Sequence, residues 1–112
     1  MDSFELMVDT KAAAAFLALM GNEKRLSIMS HLVDDELSVG AIAERVDLSQ
    51  SALSQHLAKL RSLGLVQTRR DRQMIYYSCR SDEVRRLLEL LVDVFGVEQQ
   101  ESIDEGLRRT GT

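Results

Sequence analysis

The stretch "LSQSALSQHLAKLRSLGLVQTRRDRQMIYYS", residues 48–78, changes from a helical to a strand period partway along. Ser49 is placed to cap a helix. At 100° per residue, Leu53, Leu57 and Leu60 fall on one side, and Ser51, Ser54, Gln55 and Ala58 on the other, with Lys59 on the flank. Gly64 then stops the helix in the manner of a C′ glycine. Residues 65–70 and 73–79 are rich in β-branched or aromatic types (Val66, Thr68; Ile75, Tyr76, Tyr77), and Arg70-Asp71-Arg72 fits a hairpin tip. The spacing predicts an apolar-backed polar helix followed by a two-stranded wing.

Upstream, "TKAAAAFLALM" (10–20) reads as a helix that Thr10 can cap, with Ala12, Phe16, Leu19 and Met20 on one face. Its alanines allow another helix to approach closely. Gly21 breaks this run, and Asn22 can cap a second helix carrying Leu26, Met29, Leu32 and Val33, which the acidic Asp34-Asp35-Glu36 ends. Ser38 can cap a short third helix with Val39, Ile42, Ala43 and Val46 inward. Downstream, a last helix opens at Ser81, with Asp82 and Glu83 suiting its positive N-terminal dipole. Val84, Leu87, Leu88, Leu91, Val92 and Phe95 form its apolar stripe, widened by Leu90 and Val94, and Gly96 ends it. The predicted order is α-α-α-α-β-β-α, a mainly α winged helix-turn-helix over residues 1–96. Residues 97–112 are polar and weakly patterned, and are expected to be a disordered tail.

At 112 residues the chain is one domain's length, and its 45% apolar and 29% charged content is ordinary for a globular protein. No run approaches the roughly 18 apolar residues that cross a membrane, and the N-terminus lacks the pattern of a signal peptide. A cytoplasmic protein without membrane attachment is expected. The net charge of −4 conceals an asymmetry. Residues 1–48 hold 4 Lys/Arg against 9 Asp/Glu, residues 49–80 hold 6 against 1, and residues 81–112 hold 4 against 8. The positive charge gathers on the helix and wing of the opening stretch, which points to a localised contact with a polyanion.

Short polar side chains are what a helix needs to approach base edges in a major groove, and Ser51, Ser54 and Gln55 supply them. Gln55 can pair bidentately with adenine. Ser49, Gln50 and Ser51 lie at the helix N-terminus, whose free N–H groups suit a phosphate. Lys59 and Arg61 can hold phosphates without reading sequence, and His56, on the flank, suits packing or a phosphate more than a base. In the wing, Arg69, Arg70, Arg72 and Gln73 lie at or beside a tip that can reach a minor groove, where narrowness concentrates negative potential. Tyr76 and Tyr77 point to opposite faces, so one can face DNA and the other packs inward; Tyr76 is the candidate carried as a contact. An exposed polar helix or a charged hairpin alone also occurs without any ligand. The two in tandem, in the most basic segment, favour double-stranded DNA.

The run "NEKRLSIMSHLVDDELSVGAIAERVDLSQSALSQHLAKLRSLGLVQTRRDRQMIYY" resembles the ArsR/SmtB family of bacterial winged-helix repressors over roughly residues 12–95. "LSQSALSQHLAKLR" with "GLVQTRRDRQMIYYS" is especially similar to its rhizobial nodulation-regulator branch. The resemblance implies a homodimer joined through the first and last helices, here Ala12, Phe16, Leu19, Leu87, Leu88, Leu91 and Phe95. It also implies a pseudo-palindromic operator and repression by promoter occupancy.

Many members sense metals, and this chain departs from them. Where the third-helix sensor motif has cysteines, "ELSVGAIA" (36–43) has Ser38 and Gly40, poor ligands for soft metals. The last-helix site needs histidine, and "DEVRRLLELLVDVFG" has none although Asp82 is present. No regulatory metal and no cofactor are expected, and no effector is indicated. His31 reads as a partly buried or capping residue, and Cys79, the single cysteine, as a small structural residue rather than a redox handle. The acidic Asp34, Asp35 and Glu36 are expected to weaken indiscriminate DNA binding from outside the basic face. Two other readings stay open: a dimeric winged-helix module that binds a protein or small effector instead of DNA, and, with least support, an enzyme. No Ser-His-Asp order, glycine-rich phosphate loop or metal-ligand cluster supports the last.

Overall fold

Each of the five longer helices opens on a side chain that accepts a hydrogen bond from a backbone N–H three residues on, a local interaction worth about 1 kcal/mol. The structure, a computed structural model, describes residues 3–97. After the short α1 (Phe4–Met7), Asp9 caps α2 (Thr10–Met20) through the Ala12 N–H at 3.0 Å. Asn22 caps α3 (Glu23–Leu32), and Ser38 caps α4 (Val39–Val46). Ser49 caps α5 (Gln50–Ser62), and Ser81 caps α6 (Asp82–Phe95). The sheet comprises β1 (Leu37–Ser38), β2 (Gln67–Asp71) and β3 (Met74–Ser78), antiparallel in the order β1-β3-β2.

The winged helix-turn-helix is therefore present, with three local corrections. Asp9 rather than Thr10 caps the first long helix, because its carboxylate lies one residue outside the helical dihedrals and also meets the positive helix end. Two elements were absent from the predicted order: α1, and β1, whose two residues are too few to show a period. The hairpin turn is Arg72-Gln73 rather than Arg70-Asp71-Arg72, since Asp71 and Met74 are still paired across the strands. Arg72 takes the left-handed backbone there, at φ 60°.

The turn of the helix-turn-helix is tight. Asp47 adopts φ 55°, and the Leu48 N–H donates to the Ala43 carbonyl at 3.1 Å. At the far end of α5, Gly64 at φ +70° lets the Leu65 N–H reach the Leu60 carbonyl and its own N–H reach that of Arg61. That pair of bonds is a Schellman motif, and it turns the chain into the wing. Leu53, Leu57 and Leu60 of α5 are buried against a core that includes Ile28, Met29 and Leu32 of α3, Ile42, Ala43 and Val46 of α4, and Val84 of α6. Cys79 is buried in the same core, with its backbone N–H donating to the Leu32 carbonyl; burial pushes its thiol above the usual range.

The apolar stripes of α2 and α6 are covered on one side only. Phe16, Leu19, Leu87 and Leu88 pack against the core and Leu91 is half-buried, whereas Ala12, Leu17, Leu90, Val94 and Phe95 are exposed. Phe95 keeps 71% of its surface in solvent. Of the expected tail, only Val97 lies within the described residues.

Candidate nucleic-acid interface

With Leu53, Leu57 and Leu60 buried, the opposite side of α5 is left to solvent. Ser51, Ser54 and Gln55 are exposed there, Lys59 and Arg61 are exposed on its two flanks, and Gln50 is exposed at the helix start. Among the described residues, the side chains of Ser51, Ser54 and Gln55 make no hydrogen bond, so their donors and acceptors are open to an incoming partner. Ser49 is exposed too, but its Oγ is already used on the Ala52 N–H at 3.1 Å.

A surface cleft of about 260 Å³ at the start of α5 is lined by Arg25, Ser49, Ser51, Gln55, His56 and Lys59. Arg25 was not among the expected site residues, because it lies on α3 and no period or run within α5 points to it. Its Nη1 donates to the Leu19 carbonyl at 3.2 Å and its Nε to His56 Nδ1 at 3.2 Å. Partial burial, then the charges of Arg25 and Lys59, hold the His56 imidazole below its ordinary range. Neutral His56 can accept at Nδ1, and so it anchors Arg25 beside the N-terminal half of α5. A second cleft, of about 360 Å³, lies between α5 and the wing; Ser54, Ala58, Arg61 and Tyr77 are among its walls.

In the wing, Arg69, Arg70, Arg72 and Gln73 are exposed and Tyr76 is half-buried. The tyrosines separate as alternation requires: Tyr77 packs onto the core, while the Tyr76 ring lies on the other face with the Arg69 guanidinium 5.0 Å from its centroid. Arg69 also forms a bidentate pair with Glu36, which holds the Glu36 carboxyl below the usual carboxylate range. Asp34 and Asp35 have partners as well, Arg85 at 3.3 Å and Arg45 at 3.4 Å. The acidic turn is thus not the free negative surface that its sequence suggests; it joins the wing, α4 and α6. Among the described residues, no group of three or more His, Cys, Asp or Glu side chains is arranged to hold a metal ion, and no helix is long and apolar enough to cross a membrane.

The polar face of α5 thus has a basic cleft at its start and the wing beside it. Residues 22–68, which span α3 to the first wing strand, match the family model for bacterial regulatory proteins of the arsR family. The nodulation protein NolR of Rhizobium meliloti is 57% identical over 88 residues, 79% of this chain and 72% of that protein. The chain belongs to the ArsR family. A second member, the transcriptional activator HlyU of Vibrio cholerae, is 49% identical across 78% of this chain and 81% of its own length. The crystal structure of NolR from Sinorhizobium fredii superposes with a TM-score of 0.77 at 52% identity, covering 86% of this chain and 96% of that one. This ArsR-family chain is accordingly a DNA-binding transcriptional regulator of the winged helix-turn-helix class, not an enzyme.

Proposed function

We propose that residues 1–96 act as one DNA-binding and dimerisation unit, and that two copies bind a pseudo-palindromic operator and repress transcription by occupying a promoter. The observation that carries this reading is the outer face of α5. Among the described residues, Ser51, Ser54 and Gln55 stand without internal partners between the Arg25–His56–Lys59 cleft on one side and Arg61 on the other. Gln55 and the serines read base edges. Gln50, Lys59, Arg61 and the anchored Arg25 hold phosphates, and Ser49 fixes the helix start that presents them. The wing residues Arg70, Arg72 and Gln73 follow the backbone or the adjacent minor groove.

The partner for the exposed sides of α2 and α6 is a second copy of the chain. Ala12, Leu17, Leu90, Val94 and Phe95 cover one another in that dimer, and Phe16, Leu19, Leu87, Leu88 and Leu91 back them from the core side. The regulator works in the cytoplasm, needs no cofactor and carries no metal sensor.

Selection from a random duplex pool at near-physiological salt tests the reading. The expected product is an inverted repeat whose half-site centres lie about one helical turn, roughly 10 bp, apart. Recovery of an unpaired half-site would overturn the dimeric operator, and recovery of no motif would overturn sequence-specific regulation. Placing the selected site between a promoter and a reporter then decides polarity. Expression should fall when the protein is supplied; a rise would make it an activator, the role that the name of the Vibrio relative states.

A further inference from the structure

The sheet register assigns the two adjacent wing arginines to opposite faces. Ser38, Tyr76 and Arg69 are aligned across the three strands, so they share one face, and Glu36, two residues before Ser38, belongs to it as well. On that face the Nε of Arg69 donates to both Glu36 carboxylate oxygens at 3.0 Å, and its Nη2 donates to Oε1 at 2.8 Å. The guanidinium lies over the Tyr76 ring, and its Nη1 is 4.0 Å from Asp71 Oδ2. Every guanidinium nitrogen of Arg69 therefore has a carboxylate oxygen within 4.0 Å, and Glu36, Arg69 and Asp71 together carry one formal net negative charge.

Arg70, one residue on, shares its face with Thr68 and Tyr77. Tyr77 lines the cleft together with Ser54, Ala58 and Arg61, so this is the face that looks toward α5. Arg70 Nε donates to the Arg72 carbonyl at 3.1 Å, and no carboxylate pairs with Arg70 among the described residues.

We propose that Glu36 is a positioning residue for the wing: it clamps Arg69 over Tyr76 as an internal brace, and Arg70 is the neighbouring arginine that contacts DNA phosphate. The proposal rests on the reading of this chain as a DNA-binding regulator and adds which cation of the Arg69-Arg70 pair meets the nucleic acid. A bidentate Arg–carboxylate fork is a directional, charge-assisted contact. A phosphate that captured Arg69 would have to displace both Glu36 oxygens and leave Tyr76 without its cation, whereas Arg70 is available without breaking an ion pair. The brace also explains why an acidic residue lies at the root of a basic wing. It ties β2 to the segment leading into α4 and so fixes the wing relative to the helix-turn-helix.

Counting released counterions distinguishes a brace from a contact, because neutralising a true phosphate ligand lowers the slope of log K against log salt by about 0.9 per protomer. The probe is a labelled 30-bp duplex of random sequence, titrated with the full chain over a salt series, with circular dichroism confirming the fold of each variant. Arg70→Gln should lower the slope by about 0.9 per protomer bound. Arg69→Gln should weaken binding at the unaltered slope, and the charge swap Glu36→Arg with Arg69→Glu should restore the lost affinity by re-forming the pair in reverse. A slope loss in Arg69→Gln equal to that in Arg70→Gln overturns the proposal, as does a swap that binds no better than Arg69→Gln. If the unaltered chain shows no salt-dependent binding at all, the DNA-binding reading falls and this proposal with it, a result distinct from either of those two.

Discussion

The outer face of α5 and the wing are both polar surfaces, but their polar groups are in different states. On α5, the side chains of Ser51, Ser54 and Gln55 have no partner among the described residues and are set on a helix held from behind by three buried leucines. In the wing, Arg69 is paired with Glu36 and stacked on Tyr76, and Arg70 leans on the Arg72 carbonyl. The helix gains its rigidity from burial, so its outer face can stay uncommitted. A three-stranded sheet whose β1 has only two residues has little burial to draw on, and it uses its own polar groups to keep its shape. Recognition chemistry is thus cheap to leave open where the core supplies order, and partly spent on structure where it does not.

The largest test of that difference removes the support of the helix. Leu53→Ala, at a position with no exposed surface, should cost about 2–5 kcal/mol in a urea titration. That is a large share of the about 5–15 kcal/mol that holds a domain folded, and DNA binding should weaken with the fold. A loss typical of a surface substitution would mean that the buried side of α5 does not order its outer face.

Changes on the outer face itself should leave stability alone and act on affinity. Gln55→Ala should lose about 1–3 kcal/mol on the selected operator while its binding to random duplex and its salt slope stay unchanged. Equal losses on both DNAs would make Gln55 a backbone contact. Lys59→Gln should do the reverse: binding weakens uniformly across sequences, and the slope falls by about 0.9 per protomer. A sequence-dependent loss there would move the reading surface further along the helix.

Much of this division was legible in the residue pattern. The leucine spacing of α5, the caps at Asn22, Ser38 and Ser49, the helix start at Ser81 and the stop at Gly64 are local signals, and each appears where its spacing placed it. The contacts that set the state of the site are not local. Arg25 meets His56 across 31 residues and Arg69 meets Glu36 across 33, and neither pairing leaves a period or a motif. Strand β1 escaped for a related reason: two residues carry no alternation, and only pairing with β3 makes them a strand. Charge counting found the basic segment but treated Arg69 as available alongside Arg70 and Arg72, because a count carries no information about partners.

At the hairpin tip, Arg72 holds a left-handed backbone that L-residues adopt at a cost of about 1–2 kcal/mol and glycine adopts without strain. Arg72→Gly should therefore raise stability, by up to about 1 kcal/mol after glycine's greater freedom in the unfolded chain is counted. DNA affinity should drop through the lost charge. Stability moving up while affinity moves down is the expected pair of changes; stability moving down would show that the tip is not strained.

The smallest effect concerns His56, and its sign follows from its surroundings. Burial first, then the charges of Arg25 and Lys59, disfavour the protonated imidazole in the folded chain, so its folded value lies below the 6.5 of an unperturbed histidine. Between that lowered value and 6.5 the unfolded chain binds more protons than the folded one, and stability must fall as pH falls through the interval. Above it, His56 is neutral in both states and contributes no slope. Glu36 acts in a separate window: Arg69 lowers its value from 4.5, so the stability it contributes is lost only on further acidification below 4.5. Melting temperatures recorded from about pH 8 to about pH 5 should therefore decline below 6.5 in the unaltered chain and decline less in His56→Gln. Identical profiles would show that protonation at His56 does not oppose its contact with Arg25, and that the cleft at the start of α5 is held by the Arg25 contact to the Leu19 carbonyl alone.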